Sequence, residues 1–311
     1  MTGWMRCLPD GKPISALGFG CSSLWAKPDF AEKRAQEILD VAAGEGINHF
    51  DTAPSYGKGL AEERLGRFLI GRRADEFVIS TKIGSNLVDG EVVRGFDRNL
   101  VTRSFEQSLL RLGVERVDVL YLHGPEVSQL TDELLRFLED EKTRGRIGFS
   151  GMESPDLSSF ATFAGLPIDI AMLHYNAVDP SADRLIEELT GRGKIIISGT
   201  SLAQGKFDWS TFLPTSKART WYLLRMLKND PLFWSRGPAV ARRLATLRDN
   251  AHAAAIAFVT GHPLVTSGLF GSSNAQHVAA NARAGHHPLT EAERDAILNQ
   301  KAGPMPFQST E

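Results

Sequence analysis

Apolar positions along the chain recur in two alternating rhythms. Short apolar runs at Ile47–Phe50, Phe77–Ile83, Val117–Leu122, Ile147–Phe149, Ile168–Tyr175, Lys194–Ile197 and Val265–Phe270 have the length of buried strands. Between them lie stretches with helical spacing: Phe30–Ala43, Leu60–Ile70, Leu100–Leu112, Leu130–Thr143, Leu157–Phe163, Ala182–Thr190, Ala239–Asn250, Ala251–Gly261, Ala275–Arg283 and Thr290–Asn299. In Leu60–Ile70, for example, Glu62 and Glu63 fall opposite Leu65 and Phe68. Gly44, Gly113 and Gly145 stop three of these helices, where a left-handed turn costs a glycine nothing. Near the amino terminus, Trp4–Leu8 and Ile14–Gly20 flank Pro9-Asp10-Gly11-Lys12, which reads as a hairpin plugging one end of a larger structure.

Counting Leu17–Gly20 as the first strand gives eight strand–helix units, spaced as βα units are. That is the requirement of a (β/α)8 TIM barrel, an α/β fold, with an N-terminal hairpin and a long irregular insertion, residues 205–236, after the seventh strand. A doubly wound sheet shares the same alternation. No repeat, linker or low-complexity tract divides the chain, so a single domain over 1–311 is expected.

Composition narrows the classes of function. The 311 residues are 42% hydrophobic and 23% charged with a net charge of −2, which gives no electrostatic footprint for nucleic acid or an anionic membrane. No apolar run approaches the ~18 residues of a membrane span. Cys7 and Cys21 lack metal-binding spacing and suit a reducing compartment, so a cytoplasmic monomer or homo-oligomer is expected.

In a barrel of this kind chemistry sits where strands end. The last polar residues of the second to seventh strands are Asp51, Lys82, His123, Ser150, Asn176 and Thr200, and Tyr56 follows Asp51 within a Pro/Gly turn. A lone lysine or histidine at a strand end is usually a solvated charge or a structural hydrogen-bonder. Four such groups arriving from consecutive strands are hard to explain by packing. Together they can transfer a proton through a phenol: Lys82 would lower the Tyr56 pKa, Asp51 would hold Lys82 charged, and His123 would donate to a carbonyl oxygen.

The stretches Asp51-Thr52-Ala53-Pro54-Ser55-Tyr56-Gly57, Gly59-Leu60-Ala61-Glu62-Glu63-Arg64-Leu65-Gly66-Arg67, Thr81-Lys82-Ile83-Gly84, Asp118-Val119-Leu120-Tyr121-Leu122-His123 and Ser201-Leu202-Ala203-Gln204-Gly205 resemble the aldo-keto reductases. The resemblance spans essentially the whole chain. It implies a catalytic tetrad of Asp51, Tyr56, Lys82 and His123, with Tyr56 as general acid and hydride supplied by NADPH or NADH lying across the barrel mouth. It also implies that Gly20 and Cys21 lie beside the nicotinamide, with Ser150 and Met172 around its carboxamide. The pyrophosphate would lie against Thr200, Ser201, Leu202, Gln204 and Gly205. The adenosine end would meet Gly271, Ser272, Ser273, Gln276, His277 and Asn281, before a helix whose N–H groups suit an anion. Trp25, Tyr56 and His123 would face a small carbonyl or sugar substrate, and no metal is implied. Gly18-Phe19-Gly20-Cys21-Ser22-Ser23 superficially suggests a dinucleotide fingerprint, but Trp25 and Pro28 interrupt the helix that one requires.

Three departures from the family pattern, at five positions, stand out. Gly271 and His277 stand where many NADPH-preferring members carry Lys and Arg, leaving only Ser272, Ser273 and a protonated His277 for a 2′-phosphate. Gly199 stands where an aromatic ring commonly stacks on the nicotinamide, with Trp25 or an insertion aromatic as substitutes. Met172 replaces the usual glutamine and Gly151 the usual asparagine. The first functional reading is therefore an NAD(P)-dependent oxidoreductase of an aldehyde, ketone or sugar, with the oxidation of sugar lactols included. The alternative is a nucleotide-binding regulatory or redox-sensing subunit with little turnover. A metal-dependent hydrolase using Asp51, His123 and His174 ranks last.

Overall fold

A computed structural model describes residues 3–203, 220 and 240–298. Apart from Thr220, the expected insertion at 205–236, with Gln204, Gly205 and the tail at 303–311, lies outside the described residues.

The strands are β1 (Met5–Cys7), β2 (Pro13–Ser15), β3 (Leu17–Gly20), β4 (His49–Asp51), β5 (Val78–Ile83), β6 (Ser85–Val88), β7 (Glu91–Arg94), β8 (Val117–His123), β9 (Ile147–Ser154), β10 (Ile170–Leu173), β11 (Ile195–Ser198) and β12 (Val265–Phe270). Eight of them form a closed barrel in the order β3-β4-β5-β8-β9-β10-β11-β12, β12 returning to β3. Every pairing in it is parallel. The helices on the outside are α1 (Glu32–Gly44), α2 (Leu60–Leu69), α3 (Arg98–Leu112), α4 (Asp132–Thr143), α5 (Phe160–Phe163), α6 (Asp183–Gly191), α7 (Ala251–Thr260), α8 (Ala275–Gly285) and α9 (Glu291–Leu298). This is the (β/α)8 TIM barrel. Among the described residues no helix is long and apolar enough to cross a membrane.

The core has two compartments because strand residues alternate in direction. Val78, Val119, Tyr121, Ile170, Met172, Ile197 and Leu269 point into the barrel. Leu8 and Ile14 join them from the β1–β2 hairpin, which plugs the end where strands begin. Lys12 of that hairpin is ion-paired to Asp118 at 2.6 Å, and the second Asp118 oxygen accepts the Ile79 N–H at 2.8 Å. The larger compartment fills the space between strands and helices.

Most expected elements are present, with shifted ends. The helix expected over 239–250 is helical over 240–244, and Asn250 instead caps α7 by accepting the Ala253 N–H at 2.9 Å. Thr290 and Glu293 form a capping box at α9, with Glu293 accepting the Thr290 N–H at 2.8 Å and Thr290 the Glu293 N–H at 3.3 Å. Two differences concern the site. The strand expected to begin at Ile147 and end in Ser150-Gly151 runs on to Ser154. An unexpected hairpin, β6–β7, rises from β5 through Asp89 and Gly90, both at positive φ (49° and 78°).

Candidate active site

Asp51 closes β4, Lys82 lies near the end of β5 and His123 closes β8, so three neighbouring strands deliver these side chains to one corner of the mouth. The Lys82 ammonium is 2.5 Å from Asp51 and also donates to the Thr52 carbonyl at 3.0 Å. The other Asp51 oxygen accepts Ser80 Oγ at 2.7 Å. Both charges are almost completely buried, at 1% and 5% exposure, so each depends on the other for compensation. Burial alone would lower the Lys82 pKa; Asp51 and Tyr56 outweigh it, and the ammonium is held above its ordinary value.

Tyr56 stands over this pair, its ring centroid 5.4 Å from the Lys82 nitrogen and 6.1 Å from the His123 ring, which it meets edge-on at 84°. The sequence led to a phenol lowered by Lys82. Lys82 does pull it down, but burial is the larger effect and pushes Tyr56 up to about 12. Tyr56 is therefore a protonated donor at neutral pH rather than a phenolate. Burial, then Lys82 and Arg94, lowers His123 to about 3, so its imidazole is neutral and donates from one nitrogen.

The loop holding Tyr56 is itself anchored. Gly57 has φ +60°, and a Cβ there would come within 1.9 Å of the Ala26 carbonyl oxygen, so the turn lies directly against the segment after β3. Arg64 of α2 is buried, donates to the carbonyls of Trp25, Lys27 and Phe30, and is paired to Glu32 at 2.9 Å. Glu62, also buried, accepts Thr81 Oγ1 at 2.6 Å and Arg111 at 2.7 Å. The Gly59–Arg67 stretch thus ties the Tyr56 loop to β5, α3 and the β3–α1 connection.

Two expected contacts are placed elsewhere. Trp25 is 1% exposed, donates Nε1 to the Ala35 carbonyl, and packs edge-on against Phe19 with Arg64 over its ring; it belongs to the core behind α1, not to a substrate surface. Ser150 lies within β9 rather than at its exit. Its N–H and Oγ bond to Asp169, the residue before β10, at 2.8 and 3.1 Å, which directs it away from the mouth.

The inward positions of β9 are Gly151 and Glu153. A Cβ on Gly151 would sit 2.3 Å from the Tyr121 ring, so that ring takes the space where a longer side chain would stand. Glu153 is in register with both His123 and Met172. Its carboxylate lies 3.6 Å from His123 Nε2. Burial raises its pKa, with Asp51 adding to the shift and Lys82 and Arg94 opposing it. Arg94, on β7, donates to Ser85 Oγ at 2.6 Å and to the Gly124 carbonyl at 3.0 Å, beside His123. Neither Glu153 nor Arg94 was named from the sequence. Asp89-Gly90 between Leu87-Val88 and Val92-Val93 was a readable hairpin signal for Arg94; Glu153 required knowing how far β9 extends.

The remaining expected residues that the structure describes lie in or just after β3, β10, β11 and β12, or along α8. Gly20, Gly199 and Gly271 end or follow β3, β11 and β12, and a Cβ at any of them would meet nothing nearer than 3.4 Å, so a small side chain would fit there in ordinary van der Waals contact. Cys21 is fully buried and donates its N–H to the Asp51 carbonyl at 2.8 Å. Asn176, at the end of the sixth barrel strand in the sequence reading, organises the loop after β10 and donates to Thr200 Oγ1 at 3.2 Å. Ser201 is buried with an unpartnered Oγ, and Leu202 is half-buried. Met172 faces the barrel interior level with Glu153. At α8, Ser272 accepts the Asn274 N–H at 3.1 Å and Asn274 caps Gln276 at 2.9 Å. Gln276 and His277 are exposed, Ser273 is half-buried, and Asn281 is buried along the helix. An open cleft of about 530 Å3 joins this helix start to Ala31, Lys33, Arg34 and Glu37 at the beginning of α1.

A barrel with this corner is what the aldo-keto reductases share, and the aldo/keto reductase family profile matches residues 16–299. The chain belongs to that family. It is 29% identical over 300 residues to a D-threo-aldose 1-dehydrogenase from a Pseudomonas species, covering 88% of this chain and 89% of that one. An L-galactose dehydrogenase from Arabidopsis thaliana is 29% identical over 228 residues, 67% of this chain and 70% of its own. Among solved structures, the holo form of the Bacillus halodurans aldo-keto reductase AKR11C1 superposes with a TM-score of 0.79 at 24% identity, covering 98% and 99% of the two chains, which supports the fold.

Proposed function

We propose that this chain is a cytoplasmic NAD(P)-dependent oxidoreductase that interconverts a carbonyl and an alcohol, with Tyr56 as the general acid and base and a sugar or other small aldehyde or ketone as substrate. The observation that carries the proposal is the Tyr56 ring held between a buried Lys82–Asp51 pair and a neutral His123. The sugar-oxidising relatives favour a hydroxylated substrate.

A carbonyl oxygen placed between Tyr56 and His123 accepts a hydrogen bond from each, at about 3 Å. The nicotinamide, when bound, supplies or takes up the hydride. As negative charge grows on the substrate oxygen, Tyr56 passes it a proton and Lys82 stabilises the phenolate left behind. Asp51 keeps Lys82 charged and fixed, which reserves the carboxylate for that task and removes it from metal binding. In the oxidative direction Tyr56 must first lose its proton, so burial that favours the phenol favours reduction near neutrality.

An extended dinucleotide would run along Gly20, Gly199 and Gly271, which carry no side chain at or after their strand ends, toward the cleft at α8. In this reading Thr200, Ser201 and Leu202 lie beside the pyrophosphate, and Met172 replaces a polar contact to the carboxamide with a thioether. Lys33 and Arg34 would supply, from α1, the positive charge that Gly271 and His277 lack, so both NADPH and NADH are accommodated.

Tyr56→Phe tests the proton relay. Turnover of a carbonyl panel should fall by about 10²–10⁴-fold, while tryptophan quenching by either nucleotide persists. Full activity in that variant would remove Tyr56 from the mechanism.

A further inference from the structure

Next to the tetrad sits a carboxylate that the proton relay does not use. Glu153 projects from β9 into the mouth at the level of His123. Its side chain is 17% exposed, so it opens on the mouth while most of it is desolvated. Lys82 and Arg94 influence it through space only. His123 Nε2 lies 3.6 Å away, beyond hydrogen-bonding distance. Among the described residues no donor hydrogen-bonds this carboxylate. A half-buried carboxylate without a donor is costly unless water or a ligand provides one.

The position of that carboxylate relates directly to the reacting carbonyl. A carbonyl oxygen accepting from His123 Nε2 would lie beside Glu153, whose carboxylate is 3.6 Å from that nitrogen. A hydroxyl on the carbon next to the carbonyl can then point its proton at Glu153 while the carbonyl accepts from His123. Gly151 and the Tyr121 ring shape the wall beneath, leaving Glu153 as the acceptor on the β9 side.

Resting on the carbonyl-oxidoreductase reading above, we propose that Glu153 is a specificity-determining residue that accepts the hydroxyl adjacent to the reacting carbon, so that the site selects α-hydroxy carbonyls and their polyol products over simple aldehydes. A substrate without that hydroxyl leaves the carboxylate unpaired in a largely desolvated site, and the penalty falls on kcat/KM.

The test compares glyceraldehyde with propanal, which differ by their hydroxyls, in the unsubstituted protein, Glu153→Gln and Glu153→Leu, with saturating nucleotide. The unsubstituted protein should favour glyceraldehyde by at least about tenfold in kcat/KM. Glu153→Leu should lose at least about tenfold more on glyceraldehyde than on propanal. Glu153→Gln, which keeps size and one acceptor oxygen, should fall between the two, and it serves as the test if the leucine variant does not fold. An unchanged substrate ratio in both variants overturns the proposal. So does an equal loss on both substrates, which would mean that Glu153 acts through His123. In either case turnover by the unsubstituted protein leaves the oxidoreductase reading standing. Absence of turnover with every carbonyl, despite normal nucleotide quenching, overturns that reading and this proposal together.

Discussion

The two sides of the barrel mouth are built differently. On the β4–β5–β8 side, charged groups are buried, paired and tied to the loops behind them: Asp51 to Lys82 and Ser80, Glu62 to Thr81 and Arg111, Arg64 to three carbonyls. On the β11–β12 side, Gly199 and Gly271 present backbone without side chains, and the polar groups of Ser272 and Asn274 bond mainly to their own turn. Proton transfer needs groups whose positions and charge states are set before the substrate arrives. Holding an extended ligand needs room for backbone contact more than fixed charge. The family pattern is accordingly kept in the first region and altered in the second.

The sharpest way to break this contrast is to remove one member of the buried pair. Lys82→Met leaves Asp51 buried with only Ser80 as partner, and should cost about 3–5 kcal/mol of stability together with essentially all turnover. Combining it with Asp51→Asn removes the stranded charge and should recover most of the stability in urea melts, but none of the activity. A Lys82→Met protein as stable as the parent would show that the corner is not held through this pair.

A somewhat smaller effect tests how the two sides are joined through the interior. His49 lies inside the barrel one inward step below Asp51, and its Nδ1 is 2.9 Å from Ser267 Oγ of β12. It is fully buried; burial outweighs the attraction of Asp51 and lowers its pKa to about 4. The unfolded chain protonates this histidine near its ordinary value of about 6.5, whereas the folded chain resists until about 4. Between those values the unfolded state binds the extra proton, so stability is complete above the upper one and falls with acidification. The loss from this residue should total about 3 kcal/mol. Melting His49→Gln and the parent at pH 7 and pH 5 checks it: the parent should lose more stability on acidification, and parallel losses would mean that the folded chain does not resist protonating His49.

The same contrast explains what could be read from the chain beforehand. Asp51, Lys82 and His123 each sit at the end of a short apolar run before a turn, so sequence alone placed them at strand exits on one face. Ser150 also followed an apolar run, but Gly-Met-Glu-Ser continued the strand, and the inward exit position fell three residues later at Glu153. Strand length, which depends on pairing with β8 and β10, decided that difference. Trp25 was a large ring near an expected mouth, and nothing local to it showed that Arg64, 39 positions away, would cover its face. Net electrostatics were equally nonlocal. The effect of Lys82 on Tyr56 was legible from chemistry; the burial that exceeds it depends on the whole corner.

The smallest expected effect concerns the open side, where contacts are exposed. If Lys33 and Arg34 meet the 2′-phosphate across the cleft from Asn274 and Gln276, Lys33→Glu combined with Arg34→Glu should weaken NADPH more than NADH. For surface charges of this kind the difference should be about 1 kcal/mol, roughly fivefold in Kd at low salt, and should shrink as salt is added. Tryptophan quenching titrations with each nucleotide at two ionic strengths measure both quantities. Equal weakening of NADPH and NADH would mean that these cations act on a part common to both, such as the pyrophosphate. No weakening of either would move the phosphate away from α1 and leave Ser272, Ser273 and His277 to meet it alone. A selective, salt-sensitive loss would instead show that the charge absent from the end of β12 is supplied by the neighbouring α1, and that the open side recognises its ligand by field and shape rather than by buried, prepaired groups.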